Sequence, residues 1–217
     1  MKNYLKDLTI FKENFINLKT FWDGKECILE LKDADYNWKQ MEWWGFYFEY
    51  LITKSLKNES EIEIQGQKIN NVKFDLSGNI NWDIKASAIK SDNHKIILND
   101  KIAMEKSIEL NGYHGEIIGL CDVEYNDEDR TFQKWHTKLK GGKSKYEKAR
   151  EVRTSISRYR KTKANLIEII FVIFKKSDLY ILDIMKQGRN SNGAKRKEKY
   201  MLNLEMINKF NNSKIEF

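Results

Sequence analysis

The sequence predicts an α/β fold: a mixed central sheet that includes an antiparallel meander, with flanking helices packed over it. Three observations lead there. Amphipathic or wholly apolar stretches with helical spacing occupy much of the first 56 residues and the segment from 131 to 161. Between them, residues 61–98 break into short β-prone runs separated by turns rich in Gly and Asn. Further on, "LIEIIFVIF", residues 166–174, is apolar almost throughout and of strand length, as a strand covered on both faces must be.

Taken in order, residues 3–20 place Leu5, Leu8, Phe11, Phe15 and Leu18 on one stripe of an amphipathic helix. "CILEL", 27–31, reads as a short strand. "YNWKQMEWWGFYFEYLITKSL", 36–56, is too long for a strand and apolar on nearly every side, which predicts a buried helix. "EIEI", "VKFDL", "NWDIKA" and "KIIL" follow as the strands of the meander. Residues 101–113 carry no clear period. "EIIGLCDVEY", 116–125, is another strand, and "TFQKWHTKLK", 131–140, a short helix ended by Gly141 and Gly142. Ser144 and Glu147 form a capping box that opens a further helix, with Tyr146, Ala149, Val152, Ile156 and Tyr159 as its apolar stripe. After the 166–174 strand, "DLYILDI" is expected to pair beside it. The loop "KQGRNSNGAKRKEK", 186–199, leads to a last strand, "YMLNL".

The chain has 217 residues, 41% of them hydrophobic, enough for one substantial core and few for two. One domain, 1–217, is expected. A composition one-third charged but mixed in sign excludes a disordered class. The lack of any long apolar run, and an N-terminal stretch interrupted by charges, argue against a spanning helix or signal peptide and predict a cytoplasmic protein without a membrane partner. Cys27 and Cys121 read as buried thiols. His94, His114 and His136 are scattered, without zinc-ligand spacing.

Charge is unevenly distributed. Residues 1–129 hold 16 Lys, no Arg and 24 acids, a net −8; residues 130–217 hold 23 basic and 8 acidic residues, a net +15. All seven Arg lie in the second part, and the planar guanidinium suits phosphates and guanine edges, so that part predicts a polyanion-binding surface. "KLKGGKSKY" has the look of a phosphate-binding loop, but Thr137 stands where that loop needs glycine, and a helix precedes it where the loop needs a strand. No nucleotide cofactor is expected.

The chemistry concentrates in "FDLSGNINWDIKAS", Phe74–Ser87. A three-residue turn Ser77–Gly78–Asn79 would set Leu76 opposite Ile80 and Asp75 opposite Asn81. Asp75, Asn81, Asp83 and Lys85 then share one face, with Phe74, Leu76, Trp82 and Ile84 on the other. A two-residue turn would send Asp75 to the opposite side. Two carboxylates converging beside an ammonium suit metal-assisted phosphodiester hydrolysis, in which a hard divalent ion activates water and Lys85 steadies developing charge. The same spacing recurs at Asp23, Glu30 and Lys32, but no comparable helix precedes it. Ahead of Asp75, Glu42, Gly45 and Glu49 fall on one stripe of the apolar 36–56 helix, where a carboxylate needs a cation.

A helix with G-x-x-x-E, a strand bearing Asp75 and a strand bearing Asp83-x-Lys85 together resemble the PD-(D/E)xK nuclease superfamily, most closely a small type II restriction endonuclease. The resemblance covers about 42–90, and Phe74 stands where the motif's name has proline. It implies a restriction-endonuclease-like sheet, Mg²⁺ held by Asp75, Asp83 and the carbonyl of Ile84, Lys85 as catalytic lysine, and Glu49 or Glu42 as the helix carboxylate. The metal-site core would span about 36–100 and the DNA-contacting part about 130–200. Expected contacts to double-stranded DNA are Lys140, Lys143 and Lys145 in the turn, Arg150, Arg153, Arg158 and Arg160 on the following helix, and Gln187, Arg189, Asn190, Asn192, Lys195 and Arg196 in the late loop. A homodimer follows from the resemblance, since two symmetric cuts need two sites. The alternatives are another nuclease of the superfamily, acting in repair, transposition or phage defence, and a DNA-binding protein without catalysis.

Overall fold

The computed structural model describes residues 2–69, 72–89, 94–125, 127–145, 147, 148, 152, 160–189 and 193–217. In chain order its elements are α1 (Tyr4–Phe15), β1 (Phe21–Asp23), α2 (Gly24–Asp33), α3 (Trp43–Ser55), β2 (Glu63–Ile64), β3 (Lys68–Ile69), β4 (Val72–Lys73), β5 (Leu76–Ser77), β6 (Asn81–Ala88), β7 (Lys95–Asp100), α4 (Lys101–Asn111), β8 (His114–Glu124), α5 (Thr131–Leu139), β9 (Lys163–Phe174), β10 (Asp183–Met185), β11 (Lys199–Asn203) and β12 (Asn211–Glu216). Short 3₁₀ segments cover Lys176–Ile181 and Leu204–Lys209.

β9 is the hinge of the architecture because its two faces are both apolar. Ile169, Phe171 and Ile173 join a core with α1, α2 and α3, while Ile170, Val172 and Phe174 join a second core with α4, β7 and β11. The main sheet therefore lies between helices on one side and a helix with a small three-stranded sheet, β10-β11-β7, on the other. Its order is β1-β9-β8-β6-β5-β2, with β12 also on β9; β6 and β8 run parallel and every other pair antiparallel. Parallel neighbours need a long crossover, and β7 with α4 supplies it. The mixed α/β class read from the sequence is thus present. Among the described residues no helix is long and apolar enough to cross a membrane.

Several elements differ from the sequence expectation. "CILEL" is helical: Asp23 accepts hydrogen bonds from the Lys25 and Glu26 amides as an N-cap, and Cys27, Ile28 and Leu31 bury one face of α2. Residues 178–184 do not pair with β9. They form the 3₁₀ segment and then β10, which pairs with β11. β7 leaves the meander for the small sheet, and "YMLNL" is followed by β12 on the edge of β9. The unassigned 101–113 segment is α4, capped by Asp100 and closed by Gly112 at a φ of 78°. On α1, Tyr4 rather than Leu5 completes the buried stripe. The Ser144–Glu147 capping box is present in both directions, at 2.8 and 3.1 Å. Tyr146, Ala149, Ile156 and Tyr159 lie outside the described residues, and Val152, expected on the buried stripe, is exposed.

Candidate active site

The hairpin has a three-residue loop, displaced by one residue from the predicted turn. Leu76 pairs with Trp82 and Ser77 with Asn81, leaving Gly78, Asn79 and Ile80 to turn. The register thus moves by two residues, so side-chain parity across the pair survives, and Asp75 stands one residue before β5. Asp7 of α1, fully buried, fixes the loop. Its carboxylate accepts from the Asn79 amide and side chain (3.0 and 2.7 Å), the Ile80 amide (3.2 Å) and Trp82 Nε1 (2.9 Å). Asp75 accepts from the Ile84 amide at 2.7 Å, which turns its carboxylate toward β6. Phe74 leaves the side of Leu76, Trp82 and Ile84, and its ring packs 5.3 Å from that of His114, contrary to the expected alternation.

Parallel pairing of β6 with β8 sets Asn81 beside His114 and Asp83 beside Glu116. Gly115 allows that approach: a Cβ there would lie 2.0 Å from the Trp82 ring. His114 Nε2 is 3.5 Å from both Asp83 Oδ2 and Glu116 Oε1, while Lys85 Nζ is 3.9 Å from Asp83 Oδ1 and 4.0 Å from Glu116 Oε2. Asn99 donates to Asp83 Oδ2 at 2.6 Å. His114 and Glu116 are wholly buried and Asp83 nearly so. The sequence reading missed His114 because it started this strand at Glu116, and missed Glu116 because nothing local ties β8 to β6. The alternation His114-Gly115-Glu116 immediately before the apolar run was the available signal.

Glu49 and Glu42, indistinguishable on a helical stripe, separate here. Glu42 precedes α3 and binds Trp44 Nε1 and Lys161 Nζ, at 2.8 and 2.9 Å, as a structural anchor. Glu49 accepts from Tyr36 at 2.7 Å and feels the charges of Asp75, Lys85 and Asp83. Burial, then the neighbouring acids Asp75 and Asp83, push the Glu49 carboxyl up. Burial likewise raises Asp75 and Asp83, with Lys85 opposing. Burial pulls on the Lys85 ammonium in the neutral direction, but Asp83, Glu116, Asp75 and Glu49 outweigh it and its pKa rises. Four carboxylates thus crowd one ammonium and one imidazole, a deficit of positive charge that a divalent cation would correct. The competing Asp23, Glu30 and Lys32 form no such group: Asp23 caps α2, and Glu30 is bound by Tyr47 and Lys54.

Asp83, His114 and Glu116 each offer a ligand atom, all within 4.8 Å of one another. Both carboxylate oxygens of Glu116, and Nε2 of His114, are buried without a hydrogen-bond partner. Donors of these types, left unpaired at one place, fit a divalent cation.

The expected DNA contacts divide. Lys143 and Lys145, and Arg189, Lys195 and Arg196, are exposed. Lys140 pairs with Glu147 at 2.9 Å, and Gln187 donates to the Lys197 carbonyl at 3.1 Å. Arg160 is buried. Arg150, Arg153, Arg158, Asn190 and Asn192 lie outside the described residues. Cys27 and Cys121 are buried, and burial pushes both thiols up to about 12. His136 lies 3.0 Å from the Trp38 carbonyl in a packing role.

Compared with protein-family models, with curated proteins and with solved structures, the chain finds no match in any of the three.

Proposed function

We propose that the chain is a divalent-metal-dependent deoxyribonuclease that hydrolyses phosphodiester bonds of double-stranded DNA, in the manner of a PD-(D/E)xK enzyme. The observation that carries this reading is the convergence of Asp75, Asp83 and Lys85, with Glu49, on one buried acidic cluster. An antiparallel β5–β6 hairpin beside a parallel β6–β8 pair, with α3 ahead of it, is compatible with a restriction-endonuclease-like sheet.

Asp75 and Asp83 would hold the cation with the Ile84 carbonyl, and Glu49 would add its charge from α3. Bound there, Mg²⁺ or a similar ion supplies an activated water and neutralises phosphate charge. Burial raises both aspartates, with Lys85 opposing, so a cation held there would compete with protons. Lys85 remains an ammonium between the acids, so its part is electrostatic: a hydrogen bond to the water or to a phosphate oxygen rather than removal of a proton. Its side chain is 26% exposed, against 3% for Asp83 and none for Glu116. The exposed basic residues of the second part would steer DNA to this cluster, and a homodimer would cut both strands.

Incubation with a large mixed-sequence DNA, with Mg²⁺ or with EDTA, tests the reading. Discrete fragments in Mg²⁺ alone are expected, and Asp83→Ala should lower cutting at least about 10³-fold while binding of DNA persists. Absence of cleavage across varied DNAs and divalent ions would overturn it.

A further inference from the structure

The motif behind the proposed nuclease accounts for Asp75, Asp83 and Lys85 but leaves His114 and Glu116 unused, though these are the most deeply buried polar groups of the cluster. Glu116 presents two oxygens, and His114 one nitrogen, with no hydrogen-bond donor or acceptor to meet them. Leaving a buried polar atom unpaired costs about 1–3 kcal/mol each, more when it is charged. A protonated His114 bridging Asp83 and Glu116 is the simplest remedy, yet both separations are 3.5 Å, longer than a charge-assisted hydrogen bond of about 2.7–2.9 Å. Donor atoms bound about 2.0–2.2 Å from a common ion lie about 3–3.5 Å from one another, the spacing of His114 Nε2 from each of the two carboxylates here.

The surroundings orient the ring for such an ion. Ser77 Oγ donates to Asn81 Oδ1 at 2.5 Å. Asn81 Nδ2 in turn donates to Gln67 Oε1 at 3.3 Å and to Ser107 Oγ at 3.1 Å. Ser107 Oγ lies 3.4 Å from His114 Nδ1. An Nδ1 proton shared with Ser107 leaves the Nε2 lone pair facing the two carboxylates, the usual backing of a metal-bound histidine. Phe74 packs at a tilt against the ring and Gly115 seats the strand against Trp82, so the imidazole has little freedom to turn away.

We propose that Asp83, His114 and Glu116 form a nitrogen-containing seat for a divalent transition-metal ion, which takes Mn²⁺ in preference to Mg²⁺. An imidazole suits Zn²⁺, Fe²⁺ and Ni²⁺ best; Mn²⁺ is a harder ion but still accepts a nitrogen beside two carboxylates, whereas Mg²⁺ demands oxygen ligands and keeps its waters. Asp83 belongs both to this seat and to the cation position between Asp75 and Asp83, so occupancy of the one alters the charge at the other. The seat rests on the nuclease reading only for the use made of the ion, not for its capture.

Electron paramagnetic resonance of Mn²⁺ added to the DNA-free, chelator-stripped full-length chain tests it. Mn²⁺ should bind at least tenfold more tightly than Mg²⁺ in competition. The electron spin-echo should carry nitrogen modulation that changes when histidine is ¹⁵N-labelled. His114→Gln should remove that modulation, His136→Gln should keep it, and Glu116→Gln should weaken Mn²⁺ binding about tenfold. Bound Mn²⁺ without histidine nitrogen in the unmodified protein, or no Mn²⁺ bound at millimolar concentration, overturns the seat whether or not the variants fold. Either result leaves DNA cleavage to be judged separately, and nitrogen-coordinated Mn²⁺ in a protein that cuts no DNA would support the seat while sinking the nuclease reading.

Discussion

Burial, with repulsion from Asp83 on Asp75 and from Glu116 on Asp83, raises the two aspartate carboxyls above their unfolded range near pH 4, so in the cation-free protein the folded state holds protons that the unfolded state has released. Their contribution to stability therefore falls as pH rises from about 4 through the raised values. Asp75→Asn abolishes its share of that loss while keeping an acceptor for the Ile84 amide. Urea denaturation in EDTA should show the variant gaining on the unsubstituted protein between pH 4.5 and 7.5, and saturating divalent cation should reverse the order. A difference that is flat or shrinks with pH would exclude the mechanism. The nearness of Asp75, Asp83 and Lys85 was legible in the sequence because it is local, set by strand alternation across one short loop, whereas His114 and Glu116 join them only through pairing of β6 with β8, whose partners lie 33 residues apart at every rung from Asn81↔His114 onward.

At the level of elements, the sequence conveyed α3, β6, β8, α5 and β9 because length, capping and apolar pattern agreed. It misjudged α2, where "CILEL" is short enough to satisfy either period and the decisive signal was Asp23 as a cap. It missed β12, a strand of mostly polar residues whose only buried side chain is Ile215 and whose pairing with β9 carries it. β6 and β8 approach closely where Gly115 brings no side chain against Trp82. Gly115→Ala would drive a Cβ into the Trp82 ring and part β6 from β8, for a loss of about 2–3 kcal/mol. The same substitution at Gly45, in α3 with nothing within 4 Å of the added carbon, should stabilise by about 0.5–1 kcal/mol. Thermal or chemical denaturation of the two variants measures the contrast, and Gly115→Ala should also weaken cation binding because it separates Asp83 from Glu116. Equal behaviour would mean that the strands yield without consequence.

Across the whole molecule, the acidic first part holds the cluster and the basic second part offers the exposed Lys143, Lys145, Arg189, Lys195 and Arg196. A surface that binds through phosphates releases counterions in proportion to its contacts. DNA affinity should therefore fall with salt at a log–log slope of about −4 or steeper, and Arg189→Glu with Lys195→Glu should lower that steepness by about 2 while leaving Mn²⁺ binding unchanged. Affinity insensitive to salt would place recognition elsewhere.

The crossover between the parallel strands also sets an order in time. A growing chain completes the hairpin with Asp75 and Asp83 well before β8 is made, and β8 must then be pinned between β6 and the later β9. Until that happens the aspartates stand in water, neither crowded by Glu116 nor backed by His114. The acidic cluster is thus assembled late, from segments the chain delivers far apart, and a nascent or truncated form ending before His114 would carry the motif in its sequence without the buried charge that makes it avid for a cation.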